Sequence, residues 1–196
     1  MTAAGGPADA LLQCVASKLL TVDEAHALNA EGRDAAVLIP FRPRPEGGVD
    51  IVFTKRRDDL PHHAGQISFP GGRADDGDGD LLATALRESH EELEIPPSAV
   101  RVIGALEPMS TFVSDFAVYP FVGVVPADVP LVPHPGEVDT VFEVGLHELV
   151  AMREKRELHR AGLTFTVEAF ETEGGLVWGV TGYILGRLLD RIADCL

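Results

Sequence analysis

Residues 69–93 read FPGGRADDGDGDLLATALRESHEEL. Glycines, alternating aspartates and three glutamates crowd together here, and a calcium loop, a solvated acidic helix and a metal-assisted phosphate site each demand a different spacing. The calcium loop fails. With Asp76, Asp78 and Asp80 at its first, third and fifth positions, Leu81 falls where the turn needs Gly, and Arg87 falls where a bidentate Glu should close it. The second half has helical period: at about 100° per residue Leu82, Leu86 and Leu93 form one apolar stripe with Ala85 and Ser89 at its margin. Glu88, Glu91 and Glu92 fan over another face, and Asp80 is placed to cap the helix. Three like charges so close either remain a solvated face at modest cost or hold cations. Upstream, Pro70-Gly71-Gly72 lets backbone approach a ligand beside them. Hard oxygen donors without a complete protein cage suit Mg²⁺ shared with a diphosphate.

The rest of the chain sets limits. Its 196 residues, 45% of them hydrophobic, suffice for one core and are short for two. With 16 Lys+Arg against 31 Asp+Glu the net charge is -15, so the surface repels nucleic acid and anionic membranes, and an anionic substrate needs metal ions or a local basic cluster. Cys14 and Cys195, near opposite ends, make no metal-ligand pair and read as two ordinary thiols in a reducing setting. No apolar run approaches the roughly 20 residues of a spanning helix, and no secretory leader pattern opens the chain. The expectation is a cytoplasmic protein, with an organelle not excluded and a homodimer left open.

Leu11, Leu12, Val15, Leu19 and Leu20 recur at helical spacing, and Thr21 with Glu24 makes a capping box for a second short helix through Leu28. These define an N-terminal helical extension, residues 1–33. Beyond it, 35–41 and 50–56 read as strands joined like a hairpin, followed by strands at 100–106, 116–125, 141–144 and 163–170. Helices are expected at 80–93, 146–154 and 181–193. The mixture, without regular βαβ alternation or internal repeats, predicts an α+β domain over 34–196.

At this point the central stretch resembles the Nudix box: Gly, five residues, Glu, seven residues, then Arg-Glu-U-x-Glu-Glu-x-Gly-U, where U is bulky and aliphatic. Gly72 opens it, and Arg87-Glu88-Ser89-His90-Glu91-Glu92-Leu93-Glu94-Ile95 closes it. The chain departs from the pattern in having Asp78 for the loop Glu, eight residues between Asp78 and Arg87, Ser89 for an aliphatic residue and Glu94 for the last Gly. A second resemblance, to the coenzyme A pyrophosphatase branch, runs through Val52-Phe53-Thr54-Lys55-Arg56, Gly65 and Phe69-Pro70-Gly71-Gly72. Here Arg57 stands in place of Ser or Ala, and Pro61 in place of Arg. Thr84-Ala85-Leu86, Glu137-Val138 and Trp178-Gly179-Val180-Thr181 are similar too.

The resemblance implies a Nudix fold, an α/β/α sandwich with a mixed β-sheet between helices. It also implies hydrolysis of the diphosphate linkage of coenzyme A or its thioesters, giving 3′,5′-ADP and 4′-phosphopantetheine or its acyl form, with Mg²⁺ or Mn²⁺. The metal ligands would be Glu88, Glu91 and Glu92, with Arg87 orienting a neighbouring carboxylate. Arg56 would contact phosphate, and Phe69, Gly71 and Gly72 would complete the substrate-binding set. Other nucleoside diphosphate derivatives, such as ADP-ribose or NADH, and a non-catalytic nucleotide-binding module are the alternatives. Glu137 is a candidate general base whose plain reading is an exposed strand-edge acid. Trp178 reads as a core anchor. His62 and His63, without a partner at zinc spacing, are candidates for substrate contact, and the roles of Asp75, Asp76, Asp78 and Asp80 stay open.

Overall fold

In the computed structural model, strand β1 (Arg33–Pro43) runs through the middle of a mixed sheet, because its side chains are apolar on both faces. Ala36 and Leu38 point to one layer, and Ala35, Ile39 and Phe41 to the other. The structure describes residues 6–60, 64–111, 115–160 and 163–196; Pro61, His62 and His63 lie outside the described residues.

Strand β2 (Val49–Arg56) returns antiparallel to β1, with Phe41 opposite Ile51, as the Pro/Gly-rich connection predicts. Two short strands, β3 (Ile67–Ser68) and β4 (Gly71–Arg73), pair with β2 and β1 respectively. Helix α3 (Leu81–Leu93) follows, then β5 (Arg101–Ala105), β6 (Met109–Ser110), β7 (Phe116–Val124) and β8 (Val138–Gly145). Strand β7 lies parallel to β1 and antiparallel to β5, while β8 flanks β2, so the sheet is mixed.

Helix α3 covers one face, where Ala85 packs with Ala36, Leu38, Ala117 and Phe121. The opposite face is covered by α1 (Pro7–Lys18), through Leu12 and Val15, and by α5 (Gly179–Arg191), through Ile184, Leu185, Leu188 and Leu189. The short α2 (Val22–His26) opens with the expected capping box of Thr21 and Glu24. The expected sandwich of a mixed sheet between helices is what the chain forms.

Three expectations need correction. Helix α4 (Leu146–Met152) stops before Glu154, because Arg153 already begins strand β9 (Arg153–Arg160). Strand β9 pairs with β10 (Leu163–Thr172), and β10 with β11 (Gly175–Val177), in a second sheet. The residues of β9 are mostly charged and have weak strand propensity, so cross-strand pairing decides their conformation. Trp178 is no core anchor: it is half-buried at the N-cap of α5. The two cysteines are bridged, since α1 packs beside the C-terminal turn and brings Cys14 to Cys195 with their Cα atoms 5.8 Å apart. Sequence distance hid this pairing, and the argument from free thiols for a reducing setting falls with it. Among the described residues no helix is long and apolar enough to cross a membrane.

Candidate active site

The site is assembled where β4 passes over the C-terminal half of α3. Phe69 is buried and stacked on Phe53 with ring centroids 5.2 Å apart, so it anchors the turn from beneath. Phe69, expected in the substrate-binding set, supports the glycine turn of that set. From that anchor Gly71 runs tight against β1 and Gly72 against α3. A Cβ on Gly71 would strike the Ala36 carbonyl and Val37, and one on Gly72 would fall on the Glu88 carboxylate. Backbone contact requires glycine at Gly71, and at Gly72 the missing Cβ leaves room for the Glu88 carboxylate, a candidate metal ligand.

Helix α3 starts on Asp80, whose side chain accepts a hydrogen bond from the Ala83 N–H at 2.7 Å. Of the alternating aspartates upstream, Asp78 serves Arg87. Its Nε and Nη2 donate to the two oxygens of Asp78 at 2.9 and 3.0 Å, Nη2 also reaches the Arg73 carbonyl, and Nη1 reaches Glu88 at 2.9 Å and Glu91 at 3.1 Å. Asp78 further accepts from the Asp75 N–H and the Thr84 hydroxyl. These bonds hold the Asp78 carboxyl well below the usual carboxylate range, the Arg87 guanidinium contributing most. Asp78 is therefore an anchor for the arginine that orients Glu88 and Glu91.

Glu92 corrects the simple picture of an exposed acidic face. Ala85, Ser89, Glu92 and Leu93 form the buried side of α3, while Leu82 and Leu86 are only partly covered. Small side chains sit at the centre because the helix lies close to β1, and Ser89 donates to the Ala85 carbonyl at 2.6 Å. Glu92 is 4% exposed, and its Oε2 is buried without a hydrogen-bond partner. Burial pushes its pKa up to about 8; the nearby charge of Arg56 opposes this and those of Glu88 and Glu137 reinforce it, while a Gly71 backbone hydrogen bond favours the ionised form. Glu88 is also raised, chiefly by desolvation. Glu91 faces solvent.

Arg56 comes in from the end of β2. Its Nη1 lies 4.0 Å from Glu92 Oε1 and 3.9 Å from Glu137 Oε2. Arg57 faces another way: it forms a bidentate pair with Asp59 at 2.8 and 2.7 Å and donates to the Pro135 carbonyl. Proximity to Arg56 draws Glu137 into the cluster, which its place in the sequence alone did not decide.

Among the described residues no three His, Cys, Asp or Glu side chains are already drawn together as a metal cage. The donors nonetheless fit a divalent cation shared with an anionic ligand. Glu88 lies against Gly72, Glu92 accepts a backbone hydrogen bond from Gly71, and the second Glu92 oxygen is buried without a hydrogen-bond partner. A hard cation that keeps part of its hydration needs few protein ligands.

A carboxylate-bearing helix, its arginine clamp and a glycine turn stand together on a mixed sheet, the arrangement of a hydrolase domain of the α+β class. The sequence profile of the NUDIX domain family matches residues 32–165. A Yersinia pestis (strain Pestoides F) protein named as an uncharacterized Nudix hydrolase, NudL, is 41% identical over 171 residues, covering 86% of this chain and 84% of its own length. The fold is shared with a Nudix hydrolase from M. smegmatis, RenU (TM-score 0.51, 18% identity, 63% of this chain and 76% of that one). It is shared also with a MutT/nudix family protein from Enterococcus faecalis (TM-score 0.55, 11% identity, 83% and 62%). The chain belongs to the Nudix family and is a hydrolase of that family, whose members generally use divalent metal ions.

Proposed function

We propose that the chain cleaves the diphosphate linkage of coenzyme A or a thioester of it, releasing 3′,5′-ADP and 4′-phosphopantetheine or its acyl form. The observation that carries this reading is the placement of Arg56, the one basic residue of the upstream resemblance that matches in register, 4.0 Å from Glu92 of the box. Glu88, Glu91 and Glu92 would hold Mg²⁺ or Mn²⁺, which when bound supplies neutralising charge for the diphosphate and acidity for the attacking water. Arg87 keeps Glu88 and Glu91 pointed at that place. Arg56 binds a phosphate oxygen, exchanging its long contacts with Glu92 and Glu137 for a shorter one to substrate. Glu137, exposed to solvent 3.9 Å from Arg56, would accept the water's proton.

Arg57 and Pro61 depart from the coenzyme A branch and support a second reading, in which ADP-ribose or a dinucleotide such as NADH is hydrolysed. Incubation with Mg²⁺ or Mn²⁺ and a panel of coenzyme A, acetyl-coenzyme A, ADP-ribose and NADH, with products separated by chromatography, decides between them. Release of 3′,5′-ADP from the coenzyme A compounds is expected; turnover of ADP-ribose alone would overturn the substrate.

A further inference from the structure

Segment 131–137, between β7 and β8, is tied down at three places. Val132 and His134 donate their backbone N–H groups to the carbonyls of Leu93 and Glu92 at 3.0 and 2.8 Å, so the segment closes the C-terminal end of the carboxylate helix. His134 folds the following residues into a turn by accepting from the N–H groups of Glu137 and Val138 at 3.1 and 2.9 Å. The third tie is Arg57. Its Nη1 donates to the Pro135 carbonyl at 2.7 Å, and its own backbone N–H donates to the Glu137 carbonyl at 3.0 Å. Asp59 holds the guanidinium by both of its carboxylate oxygens, which fixes the direction of that donation.

Local strand geometry allows neighbouring arginines to do different things. The pairing of β2 with β8 slips between Lys55, opposite Thr140, and Arg56, opposite Val138. Such a bulge turns the strand end and re-aims its side chains. Arg56 faces the carboxylates, and Arg57 faces the outer side of the turn that carries Glu137.

We propose that Arg57 is a positioning residue: by gripping the Pro135 carbonyl and the Glu137 backbone it holds the Glu137 carboxylate beside Arg56 and the carboxylates of the helix. This rests on the hydrolase reading above for its kinetic consequence, and on backbone geometry alone for its structural one. An exposed carboxylate on a loop otherwise samples many rotamers and backbone states, and two fixed hydrogen bonds remove much of that freedom.

The experiment uses the full chain in four forms, wild type, Arg57→Ala, Glu137→Gln and the double variant, with Arg57→Lys and Asp59→Asn as milder probes. Hydrogen exchange of the Val132 and His134 amides is expected to speed up at least tenfold in Arg57→Ala and not in Glu137→Gln. Unchanged exchange in Arg57→Ala would overturn the proposal whether or not any substrate is turned over. In the kinetic arm, Arg57→Ala is expected to lower kcat about tenfold or more with KM altered less than threefold. The double variant is expected to match Glu137→Gln, because the grip has no purpose once its carboxylate is gone. Multiplying losses, or a loss confined to KM, would overturn it by showing that Arg57 acts independently of Glu137. Partial recovery is expected in Arg57→Lys, which keeps a donor for Pro135; Asp59→Asn should fall between wild type and Arg57→Ala. Absence of turnover by the wild type on the whole panel would sink the hydrolysis reading instead, leaving the exchange arm to decide the role of Arg57.

Discussion

Glu92 is the residue whose setting most constrains the chemistry. It occupies the buried side of α3, and burial without a partner for Oε2 holds its proton up to about pH 8. The sign of the pH dependence follows. Between the ordinary glutamate value of 4.5 and about 8 the folded chain binds a proton that the unfolded chain has lost, so stability without metal falls as pH rises through that window. Glu92→Gln, which is neutral throughout, is expected to unfold at a higher temperature than wild type at pH 7.5 in EDTA, with the gap closing below pH 4.5. Thermal melts across pH test this. Turnover of the variant should fall by about a hundredfold or more if Glu92 is a metal ligand, and a variant that melted lower yet kept its kcat would remove Glu92 from the site.

At the scale of the element, α3 owes its role to both of its ends. Its start is organised by Asp78 and Asp80, and Arg87 stands as a hub between that loop and two of the three glutamates. Removing Asp78 frees two donors of Arg87, which can then pair fully with Glu88 and Glu91 in competition with a cation. Asp78→Ala is thus expected to weaken Mn²⁺ binding about tenfold or more, measured by titration of the free Mn²⁺ electron-resonance signal, and to lower the melting temperature. Undiminished affinity would show that Arg87 needs no anchor. At the other end Glu94 takes φ 55°, ψ 24°, the left-handed conformation in which a residue with a Cβ costs about 1–2 kcal/mol. Glu94→Gly is expected to stabilise the chain by about 1 kcal/mol, read from urea midpoints at constant slope.

This helix also illustrates what the sequence discloses. Its limits, its capping aspartate and the three glutamates were legible from spacing, because helical period and capping chemistry are local. The buried face was legible in part: Leu93 of the apolar stripe and Ala85 and Ser89 at its margin are buried, while Leu82 and Leu86 are only partly covered and the burial of Glu92 was not foreseen. Small residues announce close packing only once the partner is known. Asp78 as an anchor was hidden for the same reason, since its partner lies nine residues away across a turn. Glu137 joins Arg56 only through the pairing of β2 with β8, a long-range register that composition does not encode.

For the molecule as a whole, the helical extension and the carboxyl terminus act as one seam. Helix α1 lies on the sheet face opposite α3, its Cys14 bridged to Cys195 across a separation of 181 residues, with Lys18 paired to Asp194 at 3.2 Å beside it. An exposed ion pair of that kind adds little, so the covalent tie dominates the seam. Closing so long a loop restricts the unfolded chain, and such bridges typically contribute about 2–4 kcal/mol. Among the described residues, Glu92 and its partner Arg56 meet at helix α3, which covers one face of the sheet, whereas Leu12 and Val15 of α1 pack on the other. Reduction, or Cys14→Ser, is therefore expected to lower the melting temperature by about 5–15 °C while leaving kcat within twofold at 25 °C. Melts with and without dithiothreitol, alongside turnover at 25 °C, separate the two effects. A parallel loss of activity well below the melting temperature would mean that the seam reaches the site through the sheet, and an unchanged melt would mean that the packing of Leu12 and Val15 holds the ends without the bridge.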